Sequence, residues 1–186
     1  MPNYSFQYAG YKMKESPQFF NDTGVSMSLQ GLHNEAIACL KKGLSLDPYN
    51  SLLWLNLGLS YYAADMQDDS KYALVQSLKY NPYEPDAWDS LGLVLHETGD
   101  MEYAEKAFQS AIKLEPSNGR IWNNYGTLLF NTENYSGARR AFEAAVTLAP
   151  DFGDAIFNLR DTYIELGIQD LAEKCNTILK DINYKE

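Results

Sequence analysis

The residues with the strongest claim to chemistry are two histidines, two cysteines and 25 Asp and Glu side chains. His96-Glu97, with Asp100 four residues after the histidine, comes near the pattern by which a metalloprotease helix holds zinc. Gly99 sets that aspartate in a turn, off the helix face carrying His96, so the reading is structural and no metal is expected. His33 and Cys39 are six residues apart, which spreads them over different helix faces. Cys39 and Cys175 form no disulfide framework, suit a reducing compartment and read as buried, inert thiols. The glycines recur singly, so there is no loop to cradle a phosphate. No catalytic constellation remains, and the chain is expected to be neither an enzyme nor a cofactor carrier.

Charge narrows the partners. Fifteen Lys and Arg against 25 acids give a net charge of −10, with no basic stripe, which argues against nucleic acid and anionic membranes. The N-terminus has no apolar core of a secretory signal, and the most apolar stretch, 52–64, is too short to span a bilayer. A soluble, cytoplasmic protein is expected. The polar stretch ending at Glu186 reads as a natural terminus.

The elements that must position any site follow from a period. Pro48, Pro82, Pro116 and Pro150 are each 34 residues apart, as are Gly24, Gly58, Gly92 and Gly126, and Trp54, Trp88 and Trp122. From Pro17, five units of 34 residues reach Glu186: 17–50, 51–84, 85–118, 119–152 and 153–186. Residues 1–16, with Tyr4, Phe6, Tyr8 and Tyr11, form an arm or cap outside the period. Each unit reads as two helices. Trp88, Leu91, Gly92 and Leu95 share one helical face; after the Gly99-Asp100 turn, Ala104, Ala107, Phe108, Ala111 and Ile112 share another, and Pro116 ends it. One such hairpin cannot bury its apolar face, but five stacked hairpins bury a continuous core.

Trp54-Leu57-Gly58-Tyr61, Ala104-Phe108-Pro116 and Ala138-Phe142-Pro150 resemble the two halves of the tetratricopeptide repeat. The resemblance covers residues 17–186 and implies an all-α fold, a right-handed solenoid of antiparallel helix pairs. Gly58, Gly92 and Gly126 are expected at the closest helix crossing, against Ser70, Ala104 and Ala138. The end units depart from the pattern. Ile156, Arg160 and Asn176 replace Trp, Gly and Phe in the last, which puts its helix crossing in question.

The resemblance also implies a concave, peptide-binding groove lined by the first helix of each unit. Its expected lining starts with Asn21, Asp22 and Val25, then Leu52, Leu55, Asn56, Leu59 and Tyr62. Asp86, Asp89, Ser90, Leu93 and Glu97 follow, then Arg120, Asn123, Asn124, Thr127 and Phe130, and finally Asp154, Phe157, Asn158 and Asp161. The family's carboxylate clamp is absent, because Leu55 and Leu59, or Asp89 and Leu93, stand where its leading Lys and Asn belong. Asn56, Asn124 and Asn158 share one place in their units and are similar to an asparagine ladder for an extended chain, or else bond neighbouring helices. The expected function is a non-catalytic interaction scaffold whose client combines apolar anchors with Lys or Arg; oligomers are compatible with it. The alternatives are a secretion-type chaperone for hydrophobic segments and a regulatory part of a larger enzyme assembly.

Overall fold

The computed structural model describes residues 15–184. Among them are ten α-helices: α1 (Pro17–Leu29), α2 (His33–Leu46), α3 (Ser51–Ala63), α4 (Gln67–Tyr80), α5 (Pro85–Glu97), α6 (Met101–Leu114), α7 (Gly119–Asn131), α8 (Tyr135–Leu148), α9 (Gly153–Glu165) and α10 (Gln169–Asp181). The first helices start 34 residues apart, at Pro17, Ser51, Pro85, Gly119 and Gly153. Residues 1–14, which hold most of the arm expected from the sequence, lie outside the described residues. Of that arm, Glu15 pairs with Lys42 at 3.1 Å, and Ser16 caps α1 by accepting the Phe19 N–H at 3.1 Å. Asn50 and Asn118 cap α3 and α7 in the same manner.

Two compact units divide the chain, Met1–Pro82 and Tyr83–Glu186. In the first, α1 packs on α2 and α3 on α4, and α3 also lies against α1 and α2. In the second, the pairs are α5–α6, α7–α8 and α9–α10; α7 rests on α5 and α6, and α9 on α7 and α8. Each hairpin therefore covers the apolar face its predecessor leaves open. All five hairpin turns use a left-handed residue at the same place in the period: Gly31, Gly99 and Gly167 at φ +77°, +85° and +73°, Asp65 and Glu133 at +59° and +61°. For Asp65 and Glu133 that conformation costs roughly 1–2 kcal/mol, which the packing on either side must offset.

The helix crossings correct one expectation. The periodic glycines do lie at the closest approach, but the side chains they admit come from one turn further along the second helix. A Cβ at Gly24 would lie 2.6 Å from Leu40, at Gly58 2.7 Å from Leu74, at Gly92 2.7 Å from Phe108 and at Gly126 2.6 Å from Phe142. Ser70, Ala104 and Ala138 are fully buried beside the crossings. Ser70 also donates its hydroxyl proton to the Gly58 carbonyl at 2.9 Å. In the last hairpin the pair is Arg160 and Asn176, so neither the gap nor the bulky side chain is present. α9 and α10 nevertheless form a hairpin. The Arg160 guanidinium lies over the Phe157 ring at 4.0 Å and bonds Asp161 at 2.9 Å, which turns it along α9.

The tryptophans are half-buried rather than central to the core. Trp54 donates its indole N–H to the Pro48 carbonyl at 2.8 Å and Trp122 to the Pro116 carbonyl at 2.9 Å, tying each first helix to the turn before it. Tyr184 stands at the proline place of the last period. Its ring fills the space over Gly153, and its hydroxyl donates to Asp154 at 2.6 Å. Two tyrosines tie a first helix to the preceding second helix: Tyr125 donates to Glu105 at 3.0 Å and Tyr163 to Glu143 at 2.9 Å.

Gly92→Leu is expected to cost roughly 1–3 kcal/mol by forcing Phe108 aside, and Phe142→Ala about 3–5 kcal/mol by opening a cavity. Urea midpoints measure both, and a stabilised Gly92→Leu protein would mean the crossing is misplaced. Burial, reinforced by the bond to Glu143 and its charge, pushes the Tyr163 phenol up to about 12 from an ordinary value of 10.0. The unfolded chain then loses its proton first, so stability falls as pH rises from the ordinary value towards the raised one. Tyr163→Phe is expected to flatten that alkaline loss in urea titrations, and an unchanged slope would count against the Tyr163–Glu143 bond.

Candidate protein-binding surface

The expected groove residues separate into those that reach solvent and those that do not. On α3, Leu52 and Leu59 are 44% and 38% exposed, while Leu55 is 5% exposed and belongs to the core. Tyr62 and Asn56 are half-buried. On α5, Asp86 and Glu97 are exposed and Leu93 is half-buried, but Asp89 is completely buried and Ser90 nearly so. On α7, Arg120 is exposed, Asn124, Thr127 and Phe130 are half-buried, and Asn123 is buried. On α9, Asp154 is exposed and Phe157, Asn158 and Asp161 are half-buried. Leu55, Asp89, Ser90 and Asn123 are thus corrected from client contacts to packing residues: each faces a neighbouring helix, where a partner segment cannot reach.

Asp89 shows what replaces the client. Arg120, from the following first helix, reaches back and pairs with both Asp89 and Asp86. Asn124 adds two N–H···O contacts to the Asp89 carboxylate, both at 3.1 Å. Burial pushes the Asp89 carboxyl above its ordinary value, and Arg120 and Asn124 pull it back. The acidity expected on α5 is therefore largely matched inside the protein.

The asparagines follow the same rule, and the helix-bonding alternative is what the structure contains. Asn56 donates to the Asn21 amide oxygen at 2.7 Å, and Asn158 to that of Asn123 at 3.0 Å. Asn124 donates to Asp89 from the equivalent place. Each contact spans 35 residues, one period plus one, so it joins neighbouring first helices. The Asn131 amide lies 3.0 Å from His96 Nε2 with the same offset.

Between α7, α8 and α9 the second unit has an open depression of about 180 Å³ lined by Thr127, Phe130, Asn131, Phe142, Asn158 and Asp161. Thr127, Phe130, Asn158 and Asp161 were expected on this face. Asn131 and Phe142 were not. Asn131 follows Thr127 by four residues, which puts both on one helical face and was the available signal. Phe142 reads from sequence only as a packing residue, yet its buried ring forms part of the floor.

The remaining chemical groups stay apart. Cys39 lies 3.4 Å from the Phe20 carbonyl, Cys175 is buried, and burial pushes both thiols up, away from the reactive thiolate. Among the described residues no three His, Cys, Asp or Glu side chains are placed to hold a metal ion, and no helix is long and apolar enough to cross a membrane.

Two family models, both described as tetratricopeptide repeat, match the chain, one over residues 102–151 and the other over 28–50 and 85–118. Comparison with curated protein sequences gives no match. Among solved structures, the chain is similar to a MamA protein with a TM-score of 0.78 at 23% identity, over 86% of this chain and 94% of that one. It is similar to pilF of Pseudomonas aeruginosa with a TM-score of 0.85 at 16% identity, over 91% of this chain and 78% of that one. For MamA of Desulfovibrio magneticus RS-1 the score is 0.80 at 16% identity, over 90% and 94%. At these identities the likeness is one of fold, the all-α stack of antiparallel helix pairs.

Arg120→Met is expected to destabilise the protein by roughly 2–4 kcal/mol, because it leaves the Asp89 carboxylate buried without a cation; the half-exposed guanidinium keeps the loss below that of a fully buried pair. Adding Asp89→Leu is expected to recover most of the loss. Chemical denaturation of the single and double variants decides it, and additive losses would show that the two side chains are not coupled.

Proposed function

Because the chain is a tetratricopeptide-repeat protein, we propose that it is a non-catalytic scaffold that holds a segment of a partner protein against the exposed faces of its first helices. The observation that carries this reading is the depression at Thr127, Phe130, Asn131, Phe142, Asn158 and Asp161. It combines an aromatic floor with polar walls, on first helices fixed in place by inter-helix hydrogen bonds. At about 180 Å³ it is smaller than the ~300–1,000 Å³ of sites that enclose small molecules, and it suits one side chain of a longer segment. Leu52 and Leu59 give the first unit an exposed apolar face of its own, fit for an apolar stretch of such a segment. Two widely separated thiols, kept protonated by burial, suit the reducing cytoplasm.

The test is selection of random dodecapeptides displayed on phage against the full chain, followed by binding to Thr127→Trp, in which the indole fills the depression. Selected peptides are expected to bind the variant at least ~10-fold more weakly, a loss of about 1.4 kcal/mol, with an unchanged helical spectrum. Equal binding to both proteins would move the site elsewhere, with the faces of the second helices next in line.

A further inference from the structure

We propose that the depression between α7 and α9 receives a cationic side chain, a lysine or arginine of the partner segment, with its aliphatic stem on Phe130 and Phe142 and its N–H groups on the polar walls. The proposal rests on the segment-binding reading above and names the residue the segment must bring.

Proton accounting is the first support. Thr127 already spends its hydroxyl proton on the Asn123 carbonyl at 3.1 Å. Asn158 spends an amide N–H on Asn123, and Asn131 has its amide nitrogen against His96. Asp161 is ionised at neutral pH and only accepts. The hydrogen-bonding capacity left on the lining is therefore weighted towards oxygen lone pairs. A ligand that matches it is a donor, and ammonium and guanidinium carry donors with no acceptor.

Charge distribution is the second. Residues 83–186 hold 18 acids and nine bases, so this unit carries −9 of the chain's −10. Within it, the second helices α6, α8 and α10 hold six acids and six bases and are neutral. The first helices α5, α7 and α9 hold six acids and two bases. Both of those bases, Arg120 and Arg160, already lie against carboxylates. The face that contains the depression is thus the negative one, and it attracts a basic segment before contact.

The floor completes the match. Aromatic faces favour a cation lying over them by about 0.5–1 kcal/mol at exposed sites, and the stem of lysine or arginine covers apolar surface while its head stays polar. The chain itself contains this arrangement at Arg160, whose guanidinium lies over Phe157 and bonds Asp161. Arg160 does not line the depression. A neutral apolar side chain would cover the rings equally well but leave the oxygen-rich walls without donors.

The experiment titrates isotope-labelled full-length protein with N-acetyl-lysine N-methylamide and with its neutral isostere, N-acetyl-norleucine N-methylamide. The side-chain amide signals of Asn131 and Asn158 are followed by NMR. The lysine probe is expected to shift both signals with an affinity at least about threefold tighter than the norleucine probe, and Asp161→Asn to remove most of that difference. Equal shifts with both probes, or no shift with lysine, would overturn the proposal. The display selection separates the two readings. Peptides blocked by Thr127→Trp but lacking a fixed Lys or Arg would leave segment binding intact and remove the cation; peptides indifferent to Thr127→Trp would remove both.

Discussion

Close approach of two helices at one point is the constraint on which the first four hairpins depend. A glycine in the first helix leaves a hole the size of a methyl group, and Leu40, Leu74, Phe108 or Phe142 from the second helix enters it. Neither residue has that function alone. A larger residue at the glycine meets the ring or branched chain, and a smaller residue opposite leaves a void. The turn that follows must then reverse the chain within a few residues, which explains why all five turns adopt the left-handed conformation whether or not glycine is present. The fifth hairpin, with Arg160 and Asn176 at these places, keeps its helices but not this device. Tyr184 adds a contact of another kind, closing over Gly153 at the start of α9.

Stacking of one hairpin on the next uses different chemistry. Apolar side chains supply the area, and a polar contact offset by one period and one residue sets the register. Asn56 with Asn21, Asn124 with Asp89, and Asn158 with Asn123 are successive uses of the same geometry. The strongest version places a buried carboxylate between a guanidinium and an amide, at Asp89. A slipped arrangement would leave that carboxylate unpaired in an apolar setting, so the contact selects one register more than it adds stability. The same commitment decides which polar atoms remain for a partner. Donors on the first helices are drawn into the stack and oxygen atoms are left over.

Much of the architecture was legible because repetition multiplies weak signals. A lone glycine or proline says little, but four of each in phase with three tryptophans leave few alternatives. The crossing position was legible, while its occupant was not: Ala104 and Phe108 are both apolar, one turn apart, and only the helix rotation decides which enters the gap. The groove was legible as a face but not as a surface. Asp89 reads as an exposed acid because its cation, Arg120, lies 31 residues away and meets it only after two helices have stacked. The same holds for the asparagines, whose positions were evident and whose amides pair sideways along the stack. Asn131 and Phe142 were missed for the converse reason, since a depression shared by three helices has no signature in any one of them.

The tryptophans give the molecule an optical asymmetry. Trp54, Trp88 and Trp122 occur once in each of the three middle repeats, and the first and last repeats have none. Indole emission therefore reports on the interior of the array, where Trp54 and Trp122 are held to the turn carbonyls of Pro48 and Pro116. Circular dichroism at helical wavelengths weights all five hairpins alike. In a linear array whose stability is a sum of local terms, the ends can fray while the middle stays folded. Such fraying would be silent in fluorescence and visible in dichroism, so the gap between the two melting curves is a direct reading of how far cooperativity extends along the chain.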